Sequence, residues 1–265
     1  MIAGFPVWYE LLVPDVDAVE PLYRATLGWN IADAPMDVPS GIPYRMITRA
    51  DGGGAGIAGP IPSEMAQHGV NPAWYPYFTV ADVDAAVAKA RELGASVWME
   101  PADVPGAGRL AMLGDPQGAT FYVMTPTPPA DDPDAKSTAF DVNLAGHCRW
   151  NELNTTDGPA ADGFYKLLFG WNTDDGMPMG DLGQYQFVNV DQVVIGAICP
   201  IVPEGMAPHW LPYFGVDNID DAEVLVKPHG GTITHPITEV PGGDFVFTAL
   251  DAGGAHVGFT GPKGV

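Results

Sequence analysis

Basic residues are scarce in this chain. Eleven Lys and Arg stand against 33 Asp and Glu in 265 residues, a formal charge of −22 with the histidines neutral. A surface of that sign repels phosphate backbones and anionic headgroups, so nucleic-acid and membrane partners are not expected. Cysteine is nearly absent. Cys148 and Cys199 form no CxxC pair and no zinc-ligand spacing, and they read as reduced core thiols. No apolar run approaches the roughly 18 residues that a membrane-spanning helix needs. The opening MIAGFPVWYELLVPD has no basic start of the signal-peptide kind, so the expectation is a soluble, cytoplasmic protein. The stretch DGGGAGIAG at 51–59 lacks the lysine and helix of a phosphate loop and reads as a turn entering a strand. No Ser or Cys falls into a placeable nucleophile–base arrangement with His and Asp.

What the chain does have is apolar and aromatic residues, 46% and 10%, enough for a sizeable core. Its 33 Gly and 27 Pro suit many tight turns between short strands. It also repeats itself. PLYRATLGWN at 21–30 is echoed by GFYKLLFGWN at 163–172, which pairs Tyr23 with Tyr165 and Trp29 with Trp171. WYEL at 8–11 matches WNEL at 150–153, so Glu10 pairs with Glu152, and PAWYPYFTV at 72–80 matches PHWLPYFGV at 208–216. The repeating unit is about 125–140 residues, an ordinary domain size.

Each unit repeats internally as well, VPDVDAV at 13–19 returning as VADVDAA at 80–86. The chain therefore reads as four modules of strand, helix and three strands. Alternating apolar positions mark each first strand. Asp15, Asp82, Asp157 and Asn218 stand as helix N-caps, and Gly28, Gly94, Gly170 and Gly230 close the helices, the fourth shortened by Pro228. Shorter strands follow, such as YRMIT at 44–48, RLAML at 109–113 and YQFVN at 185–189. Tyr23 and Leu27 would pack one helix face, Gly28 would reverse the chain and Trp29 would pack beside it. The domains expected are 1–126 and 144–265, joined by a Pro- and Asp-rich linker over 127–143.

Four βαβββ modules with V-x-D…FY…LG openings and the ending GDPQGATFYV at 114–123 resemble the vicinal oxygen chelate superfamily. That superfamily contains glyoxalase I, extradiol dioxygenases, fosfomycin-resistance enzymes and bleomycin-resistance proteins. The W-x-E-L…FY…FGW wording of the second half is similar to a bacterial branch of two-domain glyoxalase-like proteins. The resemblance implies an α+β fold: a tandem pair of domains, each of two modules that curl into a half-barrel sheet with helices outside and ligand inside.

Strand alternation then sorts residues by face. If Leu11 and Val13 face the helix, Trp8, Glu10 and Leu12 face the cup. The first cup also receives Tyr75, Tyr77, Thr79, Thr120 and Tyr122. The second receives Trp150, Glu152, Asn154, His209, Leu211, Tyr213, His256 and Gly258. The positions where the resemblance implies metal ligands are Trp8, Tyr75 and Tyr122 in the first half and Trp150, Leu211 and Gly258 in the second. Divalent cations need close O, N or S donors, so no metal and no other cofactor is expected. His209, Glu152 and His256 form a weaker alternative metal set, each displaced two residues along its strand, about 6–7 Å.

Glu10 and Glu152, each near a Trp on the inward face, are candidates for acid–base work or for anchoring a cationic or hydroxylated ligand, and His256 is a candidate partner of Glu152. The blander alternative is that these carboxylates only satisfy internal donors. Trp8, Tyr75, Tyr77, Tyr122, Trp150, His209, Leu211 and Tyr213 would supply flat walls for a planar aromatic molecule. The expected function is metal-free binding of an aromatic or toxic small molecule. The alternatives are a glyoxalase-like lyase, isomerase or hydroxylase using Glu152 and His256, with or without a displaced metal, and an interaction protein with plugged cups. A monomer or homodimer is expected, since fused domains can satisfy internally what single domains achieve by pairing.

Overall fold

The computed structural model describes residues 2–36, 38, 41–67 and 70–264. All four modules form as strand, helix and three strands. The first holds β1 (Pro6–Val13), α1 (Val16–Leu27), β2 (Asn30–Ile31), β3 (Arg45–Thr48) and β4 (Gly54–Pro60), with a short α2 (Ser63–Gln67) after it. The second holds β5 (Ala73–Thr79), α3 (Val83–Glu92), β6 (Ser96–Val104), β7 (Gly108–Gly114) and β8 (Thr120–Pro126). The third holds β9 (Cys148–Asn154), α4 (Gly158–Phe169), β10 (Gly176–Pro178), β11 (Gln184–Val190) and β12 (Val193–Cys199). The fourth holds β13 (His209–Gly215), α5 (Ile219–Val226), β14 (Thr232–Glu239), β15 (Phe245–Leu250) and β16 (His256–Gly261). Among the described residues no helix is long and apolar enough to cross a membrane.

The helices begin and end for the reasons the sequence gives. Asp15, Asp82, Asp157 and Asn218 each accept a hydrogen bond from a first-turn amide. At the other end Gly28 and Gly170 adopt φ of 65° and 76°, a left-handed conformation that a Cβ penalises, and return their N–H groups to Arg24 O and Lys166 O. Lys227-Pro228-His229 turn the end of the fourth helix into a single 3₁₀ turn before Gly230.

Among the described residues, sixteen strands form two eight-stranded mixed sheets of identical order, β2-β3-β4-β1-β5-β8-β7-β6 and β10-β11-β12-β9-β13-β16-β15-β14, and neither closes into a barrel. Within each module the first and last strands run parallel, as in β1 with β4 and β13 with β16. Parallel neighbours need a long crossover between them, and the helix of the module supplies part of it.

By packing, the chain falls into two compact units. One comprises Met1–Val7, Tyr75–Ser137 and Trp150–Trp210; the other comprises Trp8–Trp74, Thr138–Arg149 and Leu211–Val265. The first is thus built on the second and third modules, the other on the first and fourth. In the first–fourth unit the Tyr23 hydroxyl donates to Asp251 Oδ2 at 2.8 Å and accepts from Trp74 Nε1 at 2.9 Å. Asp251 Oδ1 accepts from the amides of Gly253 and Ala255 in the turn before β16. Trp29 stacks on Tyr23 at 5.7 Å and donates to Gly146 O at 2.9 Å, and Phe214 completes the cluster edge-on to Trp29 and Trp74.

The second–third unit carries the same construction. Tyr165 donates to Asp115 Oδ2 at 3.0 Å and accepts from Trp210 Nε1 at 3.3 Å. Asp115 Oδ1 takes the amides of Gln117, Gly118 and Ala119. Trp171 stacks on Tyr165 and donates to Gly4 O at 3.0 Å, with Phe78 edge-on to Trp171 and Trp210. The repeated Tyr and Trp of the sequence are therefore core residues, and the repeated Gly is the helix C-cap between them.

Burial raises the pKa of both aspartates against the hydrogen bonds that oppose it, and burial followed by the aspartate charge raises both tyrosines. Tyr23→Phe or Tyr165→Phe leaves an aspartate oxygen and an indole N–H without the hydroxyl. Urea denaturation should register a loss of about 1–3 kcal/mol for each. A carboxylic acid with a raised folded-state pKa gives stability that is complete below the unfolded pKa and is lost as pH rises through the folded one. The stability deficit of Asp251→Asn relative to the parent should therefore shrink as pH is raised from about 4 toward 7, because the parent loses the Asp251 contribution over that range and the variant has none to lose.

Candidate functional site

The residues that strand alternation assigns to the inner faces divide between the two units. Trp8, Glu10, Leu211, Tyr213 and His256 belong to the first–fourth unit; Tyr75, Tyr77, Tyr122, Trp150, Glu152 and His209 belong to the second–third unit. Glu152 and His256, expected from the sequence to pair, thus belong to different units, and of the His209, Glu152 and His256 set only His209 and Glu152 share one.

In the second–third unit Glu152 sits mid-strand on β9 and is half-buried. Its Oε2 accepts from the Tyr185 hydroxyl at 2.7 Å, and its Oε1 accepts from Asn154 Nδ2 at 2.9 Å. Trp150, two residues earlier on the same face, donates its indole N–H to the Tyr185 oxygen at 3.0 Å. Phe187 stands edge-on to both Trp150 and Tyr185 at 6.0 Å. A run of Trp150 N–H to Tyr185 O–H to Glu152 carboxylate results, walled by aromatic rings.

The first–fourth unit holds a shorter version. Tyr44 donates to Glu10 Oε1 at 2.8 Å, and Glu10 is 1% exposed. Burial, then the Glu10 charge, push the Tyr44 phenol far above its ordinary range, so the proton stays on the tyrosine. Trp8 lies over Gly54, where a Cβ would stand 2.6 Å from the indole. Tyr44 and Tyr185 escaped the sequence reading as site residues. Their signal was present: each opens the aligned segments YRMIT and YQFVN.

The other predicted wall residues are packed. Tyr77 and Tyr122 are register partners and stack at 4.1 Å with an interplanar angle of 10°. Tyr75, Tyr77, Tyr122, Leu211 and Tyr213 are all buried. Gly258 faces Tyr213, and a Cβ there would stand 2.4 Å from the phenol ring. His256 is buried with Nε2 3.2 Å from Thr234 Oγ1, which in turn lies 2.7 Å from Thr248 Oγ1. His209 Nδ1 donates to Ala207 O at 2.8 Å, and burial lowers its pKa, which keeps the ring neutral.

The six positions at which the family resemblance implies metal ligands thus present indole, phenol, an aliphatic chain and a glycine, a donor set that does not fit a divalent cation. Among the described residues, no group of three or more His, Cys, Asp or Glu side chains is placed to hold one.

The doubled βαβββ modules and their strand order define a tandem α+β protein of the glyoxalase and extradiol dioxygenase fold. The 2,3-dioxygenase LapB from Pseudomonas sp. KL28 superposes with a TM-score of 0.64 at 12% identity, covering 100% of this chain and 94% of that one. The Mn(II)-bound glyoxalase from Novosphingobium aromaticivorans gives 0.64 at 16% identity, covering 98% and 83%. At such identities the likeness is one of fold.

The family model for the Glyoxalase/Bleomycin resistance protein/Dioxygenase superfamily matches residues 6–123. The Mycobacterium tuberculosis protein named "Putative glyoxylase CFP32" is 30% identical over 238 residues, 90% of this chain and 87% of its own length. The anthracycline biosynthesis protein DauV of Streptomyces sp. (strain C5) is 28% identical over 249 residues, 91% and 87%. The chain belongs to the glyoxalase/bleomycin resistance/dioxygenase superfamily.

Cys199, at the end of β12, offers a gauge of the Glu152 charge. Burial first, and the Glu152 carboxylate second, push its thiol up to about 12. Native Cys199 should resist iodoacetamide at pH 8. Glu152→Gln should move the midpoint of its alkylation profile downward, read by mass spectrometry of the Cys199 peptide.

Proposed function

We propose that this protein is a metal-independent, small-molecule-binding member of its superfamily whose ligand is a planar aromatic metabolite. The observation that carries the reading is the pairing of a carboxylate with a tyrosine hydroxyl beside a half-buried indole, present once in each unit: Trp8, Glu10 and Tyr44, then Trp150, Glu152 and Tyr185. Flat apolar faces with a few fixed polar groups suit a planar ring system that carries hydroxyl or amino substituents. The surface charge of −22 disfavours anionic ligands. The relative DauV, named for anthracycline biosynthesis, belongs with polycyclic aromatic chemistry of this kind. The displacement of metal donors by aromatic and aliphatic groups supports a binding role without a cation.

Two further readings compete. Burial of Tyr75, Tyr77, Tyr122, Leu211 and Tyr213 favours faces filled by their own side chains, hence an interaction protein. The name of the mycobacterial relative favours a lyase or isomerase, for which Glu152 would be the acid–base residue.

Titration with hydroxylated anthraquinones separates these readings. Binding should quench tryptophan fluorescence and raise Tm, by the equivalent of about 2.7 kcal/mol at a free concentration 100 times Kd. Absence of any shift across a set of planar aromatics would favour the filled-face reading. Elemental analysis of the purified protein should give well under one iron, zinc, nickel or manganese per chain, and a stoichiometric, tightly held metal would refute metal independence.

A further inference from the structure

The two carboxylate–tyrosine pairs are not equivalent. Glu10 is 1% exposed, and the residue two positions on, across one pleat of the same strand face, is Leu12. Glu152 is half-buried, and the corresponding residue is Asn154, which donates to it. In the third module the indole N–H of Trp150 is also directed at the Tyr185 oxygen, while the outer edge of the Trp8 ring lies against Gly54. Trp150, Tyr185 and Phe187 are half-buried like Glu152, so this network combines polar atoms and ring faces at one partly accessible place within a single unit.

We infer that the Trp150–Tyr185–Glu152 network of the third module is the working ligand anchor, and that it selects a neutral planar aromatic bearing a phenolic hydroxyl, which donates its hydrogen bond to Glu152. The inference rests on the proposed function and specifies it. An ionised carboxylate is acceptor-only, and each of its oxygens accepts more than one hydrogen bond. The Tyr185 proton is directed at Glu152 and the Trp150 proton at Tyr185, so the donors of the network point inward along it and what it presents is acceptor character. The complementary group on a ligand is a donor. Asn154 and Tyr185 hold the two carboxylate oxygens in place, and both are positioning residues. The rings of Trp150 and Phe187, mutually edge-on, receive the flat body.

The test compares 2-hydroxyanthraquinone with 2-methoxyanthraquinone, which has the same ring system and no donor. Affinities are read by fluorescence quenching on the full chain, on Glu152→Gln, Glu10→Gln and Tyr185→Phe. The parent should prefer the hydroxy compound by about 10-fold or more, the usual scale for a hydrogen bond to a charged group. Glu152→Gln should bring that ratio close to one, Tyr185→Phe should reduce it in part, and Glu10→Gln should disturb it less than Glu152→Gln. The ratio guards against folding damage, because a misfolded variant loses both ligands together.

If both compounds bind the parent equally, or if Glu10→Gln abolishes the preference as fully as Glu152→Gln, the inference is overturned while aromatic binding stands. If neither compound nor any other planar aromatic binds the parent, the proposed function itself falls.

Discussion

A phenol hydroxyl held between a buried aspartate and an indole N–H is the interaction on which each unit of this protein depends. Asp251 and Asp115 each use one oxygen to collect the amides of their own turn and the other to receive a tyrosine. A carboxylate removed from water costs several kcal/mol unless it is satisfied. Here several donors converge on it, so the turn, the helix that carries the tyrosine and the strand that carries the tryptophan are fixed together. Displacing any one of them leaves a buried polar atom without its partner. The indoles of Trp29 and Trp171 then cover the tyrosines and pin a glycine carbonyl beyond them. The doubled wording of the sequence, Tyr then Gly-Trp-Asn, is thus explained by packing, one copy for each unit.

The strands that serve these clusters also set the opposite face. On β5, Trp74 and Phe78 are core residues of their respective clusters, and strand alternation turns Tyr75 and Tyr77 the other way. On β13, Trp210 and Phe214 play the same part, leaving Leu211 and Tyr213 opposite. Because the aromatic cores fix the parity, a one-residue slip would destroy them before it could alter the inner faces. The positions of Glu10 and Glu152 are therefore inherited from packing on the far side of their sheets, where Tyr9 meets Phe214 and Leu153 is buried.

Much of this was legible in the sequence. Helix caps announce themselves locally, so Asp15, Asp82, Asp157 and Asn218 were placed from neighbouring residues alone, and the four modules followed. The partner of Asp251 could not be found that way. In LDAGGA it looks like an ordinary turn residue, and its second oxygen meets a tyrosine 228 positions away in the chain, while Asp115 meets one 50 positions away. Composition and periodicity carry no information about such pairings, which is why the grouping of first with fourth module and second with third was unreadable. Tyr44 and Tyr185 were missed for a related reason. Short strands with few apolar residues do not declare which face is inward, and the Glu–Tyr pairs appear only when the pairing of Glu10 with Ile57 and of Glu152 with Ala197 fixes the neighbouring strand.

A duplicated fold places different demands on its repeated parts. Both Tyr–Asp–Trp clusters are under the same demand, because each unit loses stability without its own. A binding residue carries no such requirement in both copies, since one competent anchor is enough to hold a ligand. Divergence should then gather at the inner faces and spare the aromatic cores. The contrast of Leu12 with Asn154, beside carboxylates that occupy matching positions, has that form: two positions beyond its glutamate the first copy places an aliphatic side chain, and the second places an amide that donates to the carboxylate. Packing holds both copies to one plan, and the chemistry of a single ligand needs only the second.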